Sequence, residues 1–295
     1  MVNPLVSIVI PCYNHESFVQ DCIQSVIDQT YQNIELIIID DGSKDGSVKK
    51  IQEMIPACQE RFVRFEFRHR PNKGLSATLN EGLEWCTGIY YSAIASDDLM
   101  CTRKTEIQVN YLNVYPESIG VFGYTALIDI KGNQLNDYIK NKKFKRNYFE
   151  DIFLSEYTIL APTQMCRLAC IRRVGGYIQG YVIEDWFMWL KLTEKGGYLD
   201  TLPEIFAYYR DHDNNTYKNI SLMHNERLKI LSLYRNHRLY KLALANEGVL
   251  FANELLAESL PLSLRYFFIN IAKSHKSIFR KFTVIYLRNL LKKFV

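Results

Sequence analysis

Glycine is missing where a phosphate-binding loop would need it. Residues 5–20, which hold the first apolar run and the polar segment after it, contain none. No Gly-x-Gly-x-x-Gly comes after that run and no P-loop occurs anywhere, which sets aside dehydrogenases and P-loop enzymes. The seven cysteines form no Cys-x-x-Cys, and Cys166 and Cys170 have no His or Cys cluster to complete a zinc site, so buried free thiols in a reducing compartment are expected. No basic stretch followed by an apolar run opens the chain, and no segment approaches the roughly 18 apolar residues of a spanning helix. The expected location is therefore cytoplasmic, with peripheral attachment at the inner face of the plasma membrane left open. A net charge of only +4 gives no ground for a nucleic-acid partner. Internal repeats and low-complexity tracts are absent too.

What is present reads as one large α/β domain with an appendage. The 295 residues are 48% hydrophobic and 23% charged, with 20 Tyr and 16 Phe. Apolar, β-branched runs at 6–10, 34–39, 62–67 and 89–95 predict strands, the first ended by Pro11. Helical spacing recurs at 17–29, with Ser17 a candidate cap, and again at 47–54, 75–85 and 102–115. Such alternation implies a parallel sheet with helices on both faces and ligands along the C-terminal strand edge. Tyr13-Asn14, Asp40-Asp41, Asn72-Lys73 and Asp97-Asp98 all fall on that edge. Further on, 121–130 predicts a strand, the basic run 139–146 a mobile loop, 184–194 an aromatic-rich helix, and the chain beyond 219 a series of helices. The boundaries expected are 1–100, 101–215 and 216–295.

Two adjacent carboxylates at a strand end repel each other unless a cation neutralises them. Asp97-Asp98 therefore suggests Mg²⁺ or Mn²⁺ bridging phosphate oxygens; the alternative is a cap on a helix beginning near Leu99. Asp40-Asp41-Gly42-Ser43 alone is an ordinary turn, but Asp41 ends a strand where a carboxylate can accept from a base or a ribose hydroxyl.

The order of these pieces resembles the family 2 glycosyltransferases, which have the GT-A fold. The matching segments are Ser7-Ile8-Val9-Ile10-Pro11-Cys12-Tyr13-Asn14, Asp40-Asp41-Gly42-Ser43-x-Asp45-Gly46-Ser47, Asn72-Lys73-Gly74, Ser96-Asp97-Asp98, Val174-Gly175-Gly176-Tyr177 and Glu184-Asp185-Trp186. They span roughly residues 5–212. The fold implied is a Rossmann-like, mostly parallel sheet with a C-terminal helical extension. The resemblance implies that Asp41, Pro11 and Tyr13 line the pocket of the donor's base, with Asn72 or Lys73 near base or ribose. It implies that Asp97 contacts the ribose and Asp98 ligates Mn²⁺ or Mg²⁺ on the diphosphate. Asp185 would be the general base toward the acceptor hydroxyl, with Glu184 and Trp186 beside the acceptor. A single displacement would invert the anomeric centre.

Two departures bear on this. Ser96 stands where the family has the first Asp of Asp-x-Asp, so a third ligand is needed; His212 is the candidate, a surface His the alternative. No Gln-x-x-Arg-Trp occurs, which points to transfer of one sugar from a nucleotide-sugar rather than processive synthesis. The acceptor class implied is a glycan or an undecaprenyl-diphosphate-linked sugar, in capsule or O-antigen synthesis. The rivals are a sugar-nucleotidyltransferase, which lacks its glycine-rich loop here, and an inactive nucleotide-sugar-binding scaffold, in which Asp98 or Asp185 should be lost. From residue 270 onward Lys273, Lys276, Arg280, Lys281, Arg288, Lys292 and Lys293 occur with no acid. Ile278, Phe279, Phe282, Ile285, Tyr286 and Leu290 share a helical face there, which suits either an anionic membrane surface or docking on the domain. The basic run could equally meet a lipid diphosphate or be solvated. A homo-oligomer is compatible with the sequence but not required by it.

Overall fold

The computed structural model describes residues 3–137, 142–213, 215–273 and 281–293. In chain order the elements are β1 (Val6–Cys12), α1 (Val19–Ile27), β2 (Ile34–Asp40), α2 (Ser47–Arg61), β3 (Arg64–His69), α3 (Leu75–Trp85), β4 (Tyr90–Ala93), β5 (Leu99–Met100), α4 (Lys104–Val114), β6 (Gly120–Ile128), β7 (Gln134–Asp137) and β8 (Lys145–Asn147). After these come α5 (Phe149–Phe153), β9 (Met165–Arg167), α6 (Leu168–Arg173), α7 (Glu184–Thr193), β10 (Leu199–Arg210), α8 (Ile220–Ser232), α9 (Tyr240–Leu255), α10 (Leu260–Lys273) and α11 (Lys281–Leu291). Two compact units result. The first comprises Met1–Tyr148, Thr158–Gly180 and Lys191–His212; the second comprises Phe149–Tyr157, Tyr181–Leu190 and Asp213–Val295.

The first unit is built on a sheet of order β3-β2-β1-β4-β9-β6-β10-β5, with β7 on β6 and β8 on β10. The run β3-β2-β1-β4 is parallel, as is β6 with β10, while β9, β5, β7 and β8 pair antiparallel. The central strands are apolar on both faces. Ile8, Ile10, Leu36 and Ile38 pack with Val19, Cys22, Ile23 and Val26 of α1. On the other face Val9 meets α3 at Gly82, where a Cβ would lie 2.6 Å from Val9 Cγ1. Covering both faces is what makes these strands read as unbroken apolar runs. β1 continues through Pro11 to Cys12, since its ladder to β4 ends at Val9 and Pro11 meets no amide demand on that side.

Glu35 is fully buried near the N-terminal strand edge, accepting from Ser7 Oγ (2.5 Å), Thr87 N (2.5 Å) and Thr87 Oγ1 (2.8 Å). Burial pushes its carboxyl up, but these hydrogen bonds and Arg64 outweigh it and leave the pKa lowered.

Three expectations change. Leu99-Met100 is not the start of a helix but a short strand antiparallel to β10, paired with Tyr208 and Ala207. The next helix, α4, starts only at Lys104, so neither Asp97 nor Asp98 caps one near Leu99. Ser17 caps nothing either: α1 starts at Val19 without a side-chain cap. The basic run is not all loop. Lys145 and Arg146 lie in β8 on β10, and Arg146 donates to Asp200 (2.9 Å) with its guanidinium 3.7 Å from the Tyr198 ring. Residues 138–141 lie outside the described residues. All seven cysteines are free, with Cys101 and Cys170 partly exposed and the others buried.

The second unit carries the C-terminal helices, and Val249, Ala252, Leu256, Phe267 and Tyr286 form its core cluster. Tyr286 is fully buried, stacks on Phe267 at 4.1 Å and shares a 3.1 Å hydrogen bond with Ser263. Phe282 and Leu290 pack against the same cluster, so the inner face of α11 docks, while Val284, Leu287 and Leu291 are exposed. Lys276, Ile278, Phe279 and Arg280 lie outside the described residues. Among the described residues no helix is long and apolar enough to cross a membrane.

Candidate active site

At the C-terminal edge of the parallel strands, three loops are tied together by their own side chains. Asp40 at the end of β2 accepts from the amides of Gly42 (3.2 Å) and Ser43 (2.9 Å), closing a tight turn. His69 Nδ1 lies 2.8 Å from the same carboxylate. Asn14, at a φ of 55°, donates its amide to Ser43 Oγ (2.8 Å) and accepts from Lys44 N (2.8 Å). Gly42, at a φ of 79°, lies so close to the 70–74 loop that a Cβ would stand 2.6 Å from Asn72 N.

Asp41 is the post on which that loop stands. It is buried and accepts from Lys73 N (2.7 Å), Gly74 N (2.9 Å) and the Arg70 guanidinium. Arg70, also buried, is held in turn by Glu81 (2.7 Å) and Thr78 (2.8 Å). Asn72 and Lys73 are exposed on this loop, Pro11 is half-buried and Tyr13 is 46% exposed. The structure thus brings Pro11, Tyr13, Asp41, Asn72 and Lys73 to one edge, and gives Asp41 a load of donors from the protein itself.

The 96–98 turn lies just after β4 and is clamped from β10. Asp98 is buried and accepts from Arg210 N at 2.9 Å; burial and then the Asp97 charge push its carboxyl well above the usual range. Arg210 is itself buried, donates from Nε to the Asp97 carbonyl (2.8 Å) and stacks over Phe18 at 4.8 Å. Asp97 faces two imidazoles: His212 Nε2 at 3.0 Å and His15 Nε2 at 3.8 Å from its Oδ2. Ser96 Oγ, 2.7 Å from His15 Nδ1, orients that ring, and Phe18 stacks on His212 at 5.7 Å. Burial holds the pKa of His15 down, partly offset by Asp97. The other Asp97 oxygen, Oδ1, is buried without a hydrogen-bond partner.

His15, Asp97 and His212 therefore offer one ligand atom each, all within 4.8 Å of one another. The sequence assigned the metal to Asp98 with His212; the structure brings His212 to Asp97, and Asp98 is taken up by the Arg210 amide. A buried carboxylate with one oxygen orphaned and the other facing two imidazoles fits a divalent cation, and nitrogen ligands suit Mn²⁺ better than Mg²⁺.

In the second unit, Glu184 and Asp185 open α7. Burial raises both acids, and the neighbouring Asp185 charge raises Glu184 further. Asp185 Oδ1 accepts from Trp186 N at 2.7 Å. Trp186 and Trp189 are only 2% and 1% exposed, and the Trp186 indole N–H is spent on Ile152 O at 3.0 Å. The structure thus places Glu184 and Trp186, the residues expected beside the acceptor, in the first turn of α7, with the indoles of Trp186 and Trp189 buried because the helix packs on its aromatic face.

Sequence reasoning missed His15, Phe18, Arg70 and Arg210. His15 directly follows the Tyr13-Asn14 pair, and Arg210 precedes His212 by two, so both stand beside residues already singled out. Arg70 likewise precedes Asn72 by two.

Comparison with known proteins points to one family. Residues 7–171 match the family profile described as glycosyl transferase family 2. An uncharacterised glycosyltransferase of Haemophilus influenzae is 38% identical over 140 residues, 48% of this chain and 54% of the relative. One of Rickettsia felis is 37% identical over 138 residues, 46% of this chain and 22% of the relative. The chain thus spans about half or less of these relatives' lengths. Residues 1–349 of S. aureus TarS in complex with UDP-GlcNAc superpose with a TM-score of 0.64 at 14% identity, covering 90% of this chain and 79% of that one. The mannosyltransferase PcManGT from Pyrobaculum calidifontis, in complex with GDP-Man and Mn²⁺, gives 0.63 at 13% identity, covering 98% and 85%. At such identities the likeness speaks for the fold, which is the GT-A fold expected. With its strand-edge acids in order and more than half its length matched, the chain belongs to glycosyl transferase family 2.

Proposed function

We propose that the chain is an inverting glycosyltransferase that moves one sugar from a nucleotide-sugar, in the first instance a UDP-sugar, to a hydroxyl of a glycan or lipid-linked sugar in surface-polysaccharide synthesis. The observation that carries this is the His15, Asp97 and His212 cluster, with its unpartnered Asp97 oxygen, on the same strand edge as the Asp41 loop. The UDP-GlcNAc and GDP-Man complexes of the two structural neighbours support a nucleotide-sugar donor.

His15, Asp97 and His212 would hold Mn²⁺ or Mg²⁺. When bound, the ion would neutralise charge developing on the leaving nucleoside diphosphate. Asp41 fixes the loop from which Asn72 and Lys73 approach the base or ribose, and Tyr13 and Pro11 wall that pocket. Asp98 anchors Arg210, and so positions Asp97 rather than meeting the donor. Asp185 takes the proton of the attacking hydroxyl; burial makes it a stronger base than a solvated carboxylate.

The test is release of nucleoside diphosphate from UDP-, GDP- and dTDP-sugars with and without an acceptor glycan. Release should need Mn²⁺ or Mg²⁺ and stop with EDTA. Full activity in EDTA would sink the metal reading, and absence of release from every donor would sink the transferase reading.

A further inference from the structure

The donor chemistry leaves the basic C-terminal stretch unused. After Glu258 the chain carries eight Lys or Arg and no Asp or Glu. Within the second unit, α10 and α11 turn their inner faces to one cluster, where Phe267 of α10 stacks on Tyr286 of α11. Leu260 and Ile271 from α10, and Phe282 and Leu290 from α11, pack against the same cluster. That packing decides what each helix shows to solvent.

On α11 the exposed residues are Lys281, Val284, Leu287, Arg288 and Leu291, with Lys292 in the turn that follows. Their spacing of three and four residues sets them on one side of the helix. Val284, Leu287 and Leu291 make an apolar strip, 60%, 45% and 67% exposed, and Lys281, Arg288 and Lys292 line its border. The outer face of α10 has the same character: Leu262, Phe268 and Ile269 are exposed, with Arg265 among them. Among the described residues none of these four cations forms an ion pair. A single exposed apolar side chain needs no explanation. Here six of the 20 large apolar side chains exposed among the described residues fall on two helices of 14 and 11 residues, so they are clustered rather than scattered.

Charge selects the occupant. A second copy of this chain would set one basic face against another, and like charges repel. Crossing a bilayer is out of reach for α11, whose 11 residues are about half of what a span requires. An anionic bilayer surface suits both halves of the pattern. Its headgroups attract Lys and Arg, whose aliphatic stems lie along apolar surface, while Leu, Val and Phe enter the boundary with the acyl chains.

We propose that the outer faces of α10 and α11 bind an anionic phospholipid surface, with Phe268, Leu287 and Leu291 entering the headgroup boundary and Arg288 and Lys292 meeting its charge. The apolar face of α11 turned to the protein holds the helix in place, and the opposite face meets the lipid. Binding of this kind needs neither a nucleotide-sugar nor a metal, so it stands or falls apart from the transferase reading.

The experiment is co-sedimentation of the full chain, in EDTA, with vesicles of phosphatidylcholine alone or mixed with phosphatidylglycerol. The chain should pellet with the mixed vesicles and not with phosphatidylcholine alone, and binding should fall as salt is raised. Arg288→Gln should weaken binding about fivefold, the factor for one charge near such a surface. Leu287→Ser and Phe268→Ser should each weaken it about threefold or more, with melting temperatures within a few degrees of the parent because both side chains are exposed. Val114→Ser, which removes an exposed apolar side chain from the first unit, should leave binding unchanged. No pelleting with the mixed vesicles, equal binding to phosphatidylcholine alone, or unchanged binding in Arg288→Gln or Leu287→Ser would each overturn the proposal. So would a dimer of the chain that Leu287→Ser abolishes.

Discussion

Asp97 and Asp98 stand side by side in the chain and do opposite things. Asp98 turns to the Arg210 amide, and Asp97 turns to His15 and His212. His15→Ala or Asp97→Asn should therefore weaken Mn²⁺ binding at least tenfold, read by electron paramagnetic resonance of the free ion. Asp98→Asn should change Mn²⁺ affinity little but lower the melting temperature; the reverse ranking would restore Asp98 as the ligand. That the pair calls for a neutralising partner was legible in the sequence, because two acids at a strand end repel each other. Which of them faces the cluster was not, since chain spacing does not report side-chain direction, and residues 15, 97 and 212 meet only through the sheet. Asp185→Asn should keep donor binding and reduce transfer at least a hundredfold. Lys104 adds a test of burial alone. It is fully buried, donates to Ser92 Oγ (2.7 Å) and Gln164 O (3.2 Å), and burial pulls its pKa down to about 7. The unfolded chain binds that proton up to about pH 10, so unfolding free energy should rise with pH above 7 on this account. In urea titrations between about pH 7 and pH 9, the parent should gain stability relative to Lys104→Met; parallel curves would contradict the buried lysine.

At the level of elements, α3 was read to its end residues because its apolar spacing, its glycine start and the turn before it agree. The two-residue strand β5 was not, because no periodicity exists in two residues and its existence depends on β10, more than a hundred positions later. Gly42 shows how an element depends on one atom: Gly42→Ala would force a Cβ against Asn72 N at an unfavourable φ. We expect it to lower stability by about 1–3 kcal/mol and weaken nucleotide-sugar binding, with binding calorimetry as the check. In α11 the sequence offered one apolar face for either lipid or protein. Phe282, Tyr286 and Leu290 take the protein, leaving Val284, Leu287 and Leu291 outside. Tyr286→Ala should cost about 3–5 kcal/mol in denaturant unfolding. Leu287→Ala should cost less than about 1 kcal/mol. Equal losses would mean that α11 docks by another face.

Over the whole molecule, the parallel strands and their polar edge were readable because each strand carries its own signal at its own end. The grouping of 149–157 and 181–190 with the C-terminal helices was not, since it joins segments distant in sequence through burial of aromatic side chains such as Trp186. That the strand edge binds a nucleotide-sugar with a divalent cation is the central claim. It is tested most directly by thermal unfolding of the full chain with UDP-, GDP- and dTDP-sugars in the presence of Mn²⁺. A ligand at about a hundred times its Kd adds about 2.7 kcal/mol, a rise of a few degrees. Such a rise is expected for at least one nucleotide-sugar, lost with EDTA and in Asp97→Asn; no rise with any of them would contradict the claim.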